Sequence, residues 1–280
     1  MKVIIQKPDL DTCLAGLILR VGKDDDISVL AGNAPEEYIS NPQVICIEAG
    51  GSGKTDLNNF DHHDTEEKLS PACRQAFMMR KIDAPEMKRL VEYVCMVDEI
   101  PPPNRPKIPF PSLSNIFSGM LFSVKDARGQ FLNGLEILQA VLDMKIDPFA
   151  TMPDIPEWRI YREAKDKNIA VLATDLINAE YFTSDSGRKL AYLESNSIGG
   201  IGSLYANGCE AVILFSPAYG NPPVTKYTIA GNNLNVYNLL ESFLILEPGW
   251  GGRETIIGSP RSGTNLKKEE VLRILKEDLI

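Results

Sequence analysis

Histidine is almost missing from this chain: 280 residues hold two, and they are neighbours, His62 and His63. Also missing is any uninterrupted apolar run of about 18 residues, so no segment reads as a membrane span. The apolar start, MKVIIQKPD, is too short for a signal-peptide core. The five cysteines (13, 46, 73, 95 and 209) are odd in number, widely spread and without a CxxC pair. They read as buried free thiols in a reducing compartment, so a cytoplasmic protein is expected. Basic charge is in deficit: 29 Lys and Arg against 38 Asp and Glu give a net charge of −9. That argues against a grip on long duplex nucleic acid. Small anionic ligands stay possible where a metal or a local basic patch receives them. With 44% hydrophobic and 24% charged residues the composition is globular, which excludes a disordered chain, a collagen and a coiled coil. A chain of this length buries a core without disulfides or a structural metal, and suits about two domains.

What is present has an alternating texture over the first hundred residues. Met1 to Gln6 reads as a strand. Asp11 to Val21 has helical spacing of Leu14, Leu17 and Ile18, with Asp11 as the expected N-cap. Ile27 to Ala31 and Gln43 to Glu48 read as buried strands, and Leu57 to Phe60 as a third, ending in Asp61-His62-His63. Helices are expected over Ala72–Ile82 and Pro85–Val97, the latter with Pro85 in its first turn and Met87, Leu90, Val91 and Val94 on one face. The alternation predicts an α/β fold, with an open, mostly parallel sheet and helices on both faces.

Six prolines in residues 101–111 (PPPNRPKIPFP) then break the pattern. Helices follow near Asn115–Val124, Gln130–Met144 and Pro156–Ala179. From Arg188 the order becomes strand (KLAYLES), helix (IGSLYANG), strand (EAVILFSP) and strand (TKYTIAG). A helix near Val236–Leu244, a glycine-rich turn (GWGGRE) and an amphipathic helix from Lys267 complete it. A second, smaller α/β domain is therefore expected over 165–280, after a helical connector at 126–164.

Acidic side chains gather where strands are expected to end. Asp9 and Asp11 follow the first strand, Glu48 closes QVICIE, and Asp61, His62 and His63 close the next. In an open parallel sheet the carboxyl ends of strands form the binding crevice. Mixed carboxylate and imidazole donors suit manganese, zinc or iron. Asp98 ends a helix, where negative charge opposes the macrodipole and a nearby cation would offset that cost. Residues 48–55, EAGGSGKT, nearly match the phosphate loop GxxxxGK[ST], but Glu48 occupies the first glycine position. The segment after Thr55 reads as strand rather than as the helix such a loop needs, so a polar loop is expected, with Lys54 able to touch an anion.

Together these residues resemble the DHH phosphoesterase superfamily of RecJ-like exonucleases, nanoRNases and exopolyphosphatases, over nearly the whole chain. Asp61-His62-His63 matches the motif that names the group, Pro8-Asp9-Leu10-Asp11 its PDxD motif, Glu48 its second-motif Asp, and Asp98 its fourth-motif Asp. Gly251-Gly252-Arg253 stands where the DHH-associated C-terminal domain carries a GGxH-type turn. Three positions depart: Ile5 replaces the first-motif histidine, Glu48 is one methylene longer than Asp, and Arg253 replaces the C-terminal histidine.

The resemblance implies a DHH-like metal-binding phosphoesterase domain over 1–125 and a DHH-associated substrate-binding domain over 165–280. Carried over residue by residue, it implies one metal at Asp11, Glu48, His62 and Asp98. A second position keeps only Asp9 and the shared Glu48, with Lys7 a candidate source of positive charge beside it. His63 would face substrate phosphate, Asp61 would orient the histidines, and Arg253 with Gly251 and Gly252 would bind substrate. The expected activity is metal-dependent hydrolysis of a small phosphoester or phosphoanhydride between the two domains. Short single-stranded oligonucleotides, phosphorylated nucleotides and polyphosphate are the candidate substrates. One tightly bound manganese is expected, with magnesium, zinc or iron as alternatives. No membrane partner is expected, and a dimer is possible. The alternatives are a non-catalytic regulatory protein that keeps one metal, and a nucleotide-triphosphate enzyme that uses Lys54.

Overall fold

The structure, a computed structural model, describes residues 1–63, 65, 67–100, 104–220 and 222–279. The first three prolines of the 101–111 run lie outside the described residues. Two compact units make up the chain, Met1–Asp166 and Lys167–Ile280.

In the first unit, strands β1 (Lys2–Ile5), β2 (Asp26–Val29), β3 (Val44–Ile47) and β4 (Asn59–Phe60) form one sheet in the order β2-β1-β3-β4. Every pairing in it is parallel. The period-2 alternation of a strand sorts the apolar run of β1. Val3 and Ile5 enter the larger core, while Ile4 enters a smaller core on the opposite face with Val44, Cys46 and Ile39. Helices cover both faces, which is why these strands read as continuous apolar runs. The larger core is built from α1 (Leu10–Ile18), α3 (Ala72–Arg80), α4 (Pro85–Glu99), α5 (Leu113–Ser123) and α6 (Ala127–Asp143). The smaller one is closed by α2 (Glu36–Ile39), a single turn the sequence reading did not foresee.

Register positions the site. Ile5 pairs with Ile47, and Ile47 with Phe60, so three strands end level with one another. The residues that follow them therefore leave the sheet along a single edge. The chain passes from β1 to β2 on one side and returns to β3 on the other. The gap between β1 and β3 is thus the topological switch point, where open α/β sheets form their crevice.

Some local expectations shift. Asp9, not Asp11, caps α1: its Oδ1 accepts from the Thr12 amide at 3.0 Å. The side chain of Asp11 is then free to act elsewhere. The strand expected at Leu57–Phe60 shortens to Asn59–Phe60, because Thr55–Leu57 closes a 3-10 turn. No α-helix follows Lys54-Thr55, in line with reading that segment as a loop. The segment 126–164 contains α6, whose Phe131, Leu135 and Leu138 are buried in the larger core.

The second unit follows α7 (Arg159–Ile177), within which the division between the units falls. Its strands are β5 (Glu180–Thr183), β6 (Lys189–Glu194), β7 (Ala211–Tyr219), β8 (Val224–Gly231), β9 (Gly251–Arg253) and β10 (Ile256–Gly258). They form a mixed sheet in the order β5-β6-β7-β8-β10-β9, in which only β6 and β7 run parallel. On one face Phe243 of α9 (Leu240–Leu246) and Val271, Ile274 and Leu275 of α10 (Lys268–Asp278) build the core. On the other, Leu172 of α7 and Leu204 of α8 (Gly200–Ala206) pack over Leu193 and Val212. The segment GWGGRE is not a simple turn: Gly251–Arg253 is the edge strand β9 of a hairpin with β10. Among the described residues no helix is long and apolar enough to cross a membrane. All five cysteines are buried and free.

Candidate metal centre

The three level strand ends deliver their polar residues together. Asp11, Glu48, His62 and Asp98 each offer a donor atom, and these atoms lie within 4.8 Å of one another. His62 Nε2 is 3.6 Å from Glu48 Oε1 and 3.6 Å from Asp98 Oδ2. Asp98 comes from the last turn of α4, so four separate segments converge here.

Glu48 is the centre of the group. It sits one residue past β3 with φ of +49°, a backbone conformation that non-glycine residues adopt at a cost and that concentrates at functional sites. Its Oε2 accepts from the Thr12 hydroxyl at 2.8 Å. Its Oε1 is buried and has no hydrogen-bond partner. Burial, followed by the charges of Asp9 and Asp11, pushes its carboxyl up to about 9. Asp11, 2% exposed, accepts from the amides of Ala72 and Cys73 at 2.7 and 2.8 Å, and so ties the N-terminus of α3 to the site. Burial raises its carboxyl to about 7 against those hydrogen bonds. Burial also raises Asp98, with His62 acting against the rise.

The two histidines differ in state. Burial and the neighbouring His63 hold His62 below its ordinary value, which favours the neutral imidazole that ligates metals. His63 is raised, chiefly by its hydrogen bond to Asp61, whose Oδ1 lies 3.0 Å from His63 Nδ1. Asp61 is buried and also accepts from the amides of His63 at 2.8 Å and Gly50 at 2.7 Å. Burial works to raise Asp61, but these bonds outweigh it and hold its carboxyl below the usual range.

The glycine-rich segment that mimics a phosphate loop acts here as the tight link between β3 and β4. A Cβ on Gly51 would meet the Asn59 side chain at 2.8 Å, so only glycine lets the loop lie that close.

The donor set fits a divalent cation. Three carboxylates and a neutral imidazole are the chemistry that holds manganese, iron, zinc or magnesium. An orphaned buried oxygen such as Glu48 Oε1 calls for a partner.

Asp9 stands beside this set but apart from it. Its Oδ1 caps α1, and its Oδ2 pairs with Lys7 Nζ at 2.8 Å. Ile5 is fully buried in the core. A cavity of about 330 Å³ opens on Asp9, Asp11 and Asp98, walled by Val94, Phe117 and Leu121, with Arg105 on its rim.

In the second unit, a cavity of about 500 Å³ is lined by Gly251 and Gly252 together with Tyr219, Lys226, Ser259 and Arg261. Arg253 is exposed on β9 and is not among the lining residues. A Cβ on Gly252, whose φ is +153°, would come within 2.2 Å of the Ile256 carbonyl oxygen. Lys267 precedes α10, its amide donating to Glu270 Oε2 at 2.7 Å, and Lys268 pairs with Glu180. Both lysines thus serve the helix start and its surroundings.

Sequence reasoning missed Thr12, Lys226 and Tyr219. Nothing in DLDT marks Thr12 as a partner of Glu48. Lys226 sits in an alternating strand pattern that reads as ordinary sheet.

No family model matches the chain, and no curated protein does. Solved structures do resemble it. A pGpG-specific phosphodiesterase from Vibrio cholerae aligns over 99% of this chain and 97% of its own, with a TM-score of 0.59 at 13% identity. A DHH-domain member of the s1p family of ribosomal proteins aligns over 98% of this chain and 86% of its own, with a TM-score of 0.57 at 13% identity. With a parallel sheet, a mixed sheet and coverage of nearly the whole chain by both neighbours, this protein shares the fold of these two structures, one of them a DHH domain.

Proposed function

We propose that this protein is a metal-dependent phosphodiesterase acting on small phosphorylated substrates, with 5′-phosphorylated dinucleotides the leading class. The observation that carries the reading is Glu48 Oε1, a buried carboxylate oxygen without a partner, set among Asp11, His62 and Asp98. That arrangement suits a divalent ion, and manganese matches the carboxylate-rich donors. When bound, such an ion supplies positive charge to the phosphoryl oxygens and makes water more acidic.

The chain's own residues do the rest. Thr12 fixes one oxygen of Glu48 and directs the other at the site. His62, neutral, presents Nε2 to the same point. His63, raised by its hydrogen bond to Asp61 and partly exposed, is the group that would give a proton to a phosphate or leaving-group oxygen. The second unit holds a cavity of its own whose groups suit a phosphorylated ligand. Gly251 and Gly252 bring backbone close to a ligand, Lys226 and Arg261 supply charge for phosphate, and Tyr219 a face for a base. Arg253, on the adjoining edge strand, is assigned the outer phosphate contact. The cleavage of pGpG by the Vibrio cholerae neighbour supports a dinucleotide-sized substrate.

The test is a purified-protein assay with manganese against pGpG, other 5′-phosphorylated dinucleotides, longer single strands and polyphosphate. Turnover of dinucleotides that stops with chelator supports the reading. One bound ion with no turnover on any of these substrates refutes it in favour of a non-catalytic binding protein. Within the second unit, Lys226→Met should raise KM for a dinucleotide by about 10-fold, in the range of one charged hydrogen bond. Arg253→Ala should raise it less, because Arg253 stands outside the cavity lining.

A further inference from the structure

We propose that Lys7 is a catalytic residue of this site: its ammonium, held in place by Asp9, is a fixed cation that takes a phosphate oxygen beside a single divalent ion. The inference rests on the metal-centre reading above and adds to it the group that lets one ion suffice.

The first ground is geometry. Lys7 lies on the segment leaving β1, at the switch point of the sheet, and its Nζ is 2.8 Å from Asp9 Oδ2. Asp9 is itself immobilised, because its Oδ1 caps α1 through the Thr12 amide. A long lysine side chain ordinarily wanders, and here a helix cap anchors it. With 61% of its side chain exposed, the ammonium keeps hydrogens directed at solvent and so at an incoming ligand.

The second ground is what Asp9 can no longer do. One of its oxygens is turned to the Thr12 amide and the other is paired with the Lys7 ammonium, a cation that competes with a metal ion for it. The donor cluster accordingly comprises Asp11, Glu48, His62 and Asp98, without Asp9.

The third ground is charge. Asp9, Asp11, Glu48 and Asp98 carry four negative charges when ionised, and one divalent ion cancels only two. A phosphate group approaching that remainder would be repelled. Lys7 feels the carboxylates of Asp9, Glu48 and Asp98 together, which places its positive charge where the excess lies. A lysine acts as a compact point charge with rotatable donors, suited to a phosphate oxygen that shifts during transfer.

Calorimetry on the full-length protein tests this, with manganese titrated first and inorganic phosphate second. Wild type is expected to take one manganese per chain. Lys7→Met should keep that ion, at equal or higher affinity, and lose phosphate affinity by about 10-fold or more, the range of a charge-assisted hydrogen bond. Lys7→Arg should hold phosphate within about 3-fold of wild type, since the charge is kept. A purely structural Lys7 would instead lower the melting temperature and the manganese affinity together. Unchanged phosphate affinity in Lys7→Met overturns the role while leaving the metal centre intact. Two manganese ions per wild-type chain also overturn it, since a second ion would then fill the position given to the ammonium. No manganese bound to wild type removes the metal centre and the Lys7 role with it.

Discussion

Replacing Glu48 by Gln is expected to weaken manganese binding by at least about 100-fold, since even partners outside a metal's ligand shell cost 10–100-fold when removed. The same change should make the metal-free protein more tolerant of alkaline pH. In the fold, burial first and then Asp9 and Asp11 push the Glu48 carboxyl up from 4.5 to about 9. Between those values the unfolded chain binds fewer protons than the native one, so stability falls as pH rises. Asp11, raised from 3.8 to about 7, adds loss of the same sign over a lower window. Metal-free wild type should therefore melt at progressively lower temperature from pH 5 to pH 9. Manganese should raise the melting temperature more at pH 8 than at pH 6, because the ion stabilises the ionised carboxylates. Glu48→Gln should flatten the metal-free curve above pH 7 and abolish the manganese increment. Thermal melts in chelator and in manganese across this range check both. A metal-free wild type whose stability rises with pH would contradict the account.

Asp61→Ala should be the most destabilising single change near the site. One buried carboxylate accepts from the Gly50 amide, the His63 amide and the His63 ring. Its loss leaves the buried Gly50 amide and the part-buried His63 amide and ring without their acceptor, at about 1–3 kcal/mol for a buried group and less for the part-buried ones. A loss of about 2–5 kcal/mol is therefore expected on this principle, readable from urea denaturation. The sign with pH is opposite to that of Glu48. Asp61 is held below its ordinary value, so its contribution is present above the unfolded pKa and is lost as pH falls through the folded one. A second readout comes from the scarcity of histidine. With only two imidazoles in the chain, their NMR signals are separable by one substitution. His63 should titrate above its ordinary value in wild type, and Asp61→Asn should lower it. An unmoved His63 titration would show that Asp61 does not orient and charge this ring.

Much of this site was legible because the sheet itself was. The β-branched and apolar runs KVII and VICI fix two parallel strands, and their register brings Ile5 level with Ile47. The polar residues that follow each strand are thereby assigned to one edge by the sequence pattern itself. Asp98 was legible from its place at the end of a helix, where its charge opposes the macrodipole, and from its match to the fourth motif of the resemblance. What escaped notice was tertiary. Asp11 was read as a helix cap, because Asp before an apolar run is that signal. The cap is Asp9, and Asp11 reaches α3, 61 residues away. No local pattern encodes such a pairing. The GWGGRE segment was read as a turn because glycine punctuates loops. Pairing with β10 supplies the backbone bonds that make it a strand, and that partner is visible only in the sheet order. The same order brings Lys226 on β8 to the glycines of β9, which the alternation of β8 alone does not announce.

The level ends of β1, β3 and β4 also bear on how the protein folds in time. Its candidate metal donors come from residues 11, 48, 62 and 98, so none of them is a near neighbour of another along the chain. Parallel strands need crossovers, and contacts of long sequence separation are the slow ones to form. A complete donor set therefore exists only after the sheet has closed. An ion that binds this set stabilises the finished state and not the barrier leading to it. By rate–stability coupling, its effect falls on the unfolding limb. An ion bound there would make the folded protein longer-lived without making it quicker to appear, and a freshly synthesised chain would need none until the last step.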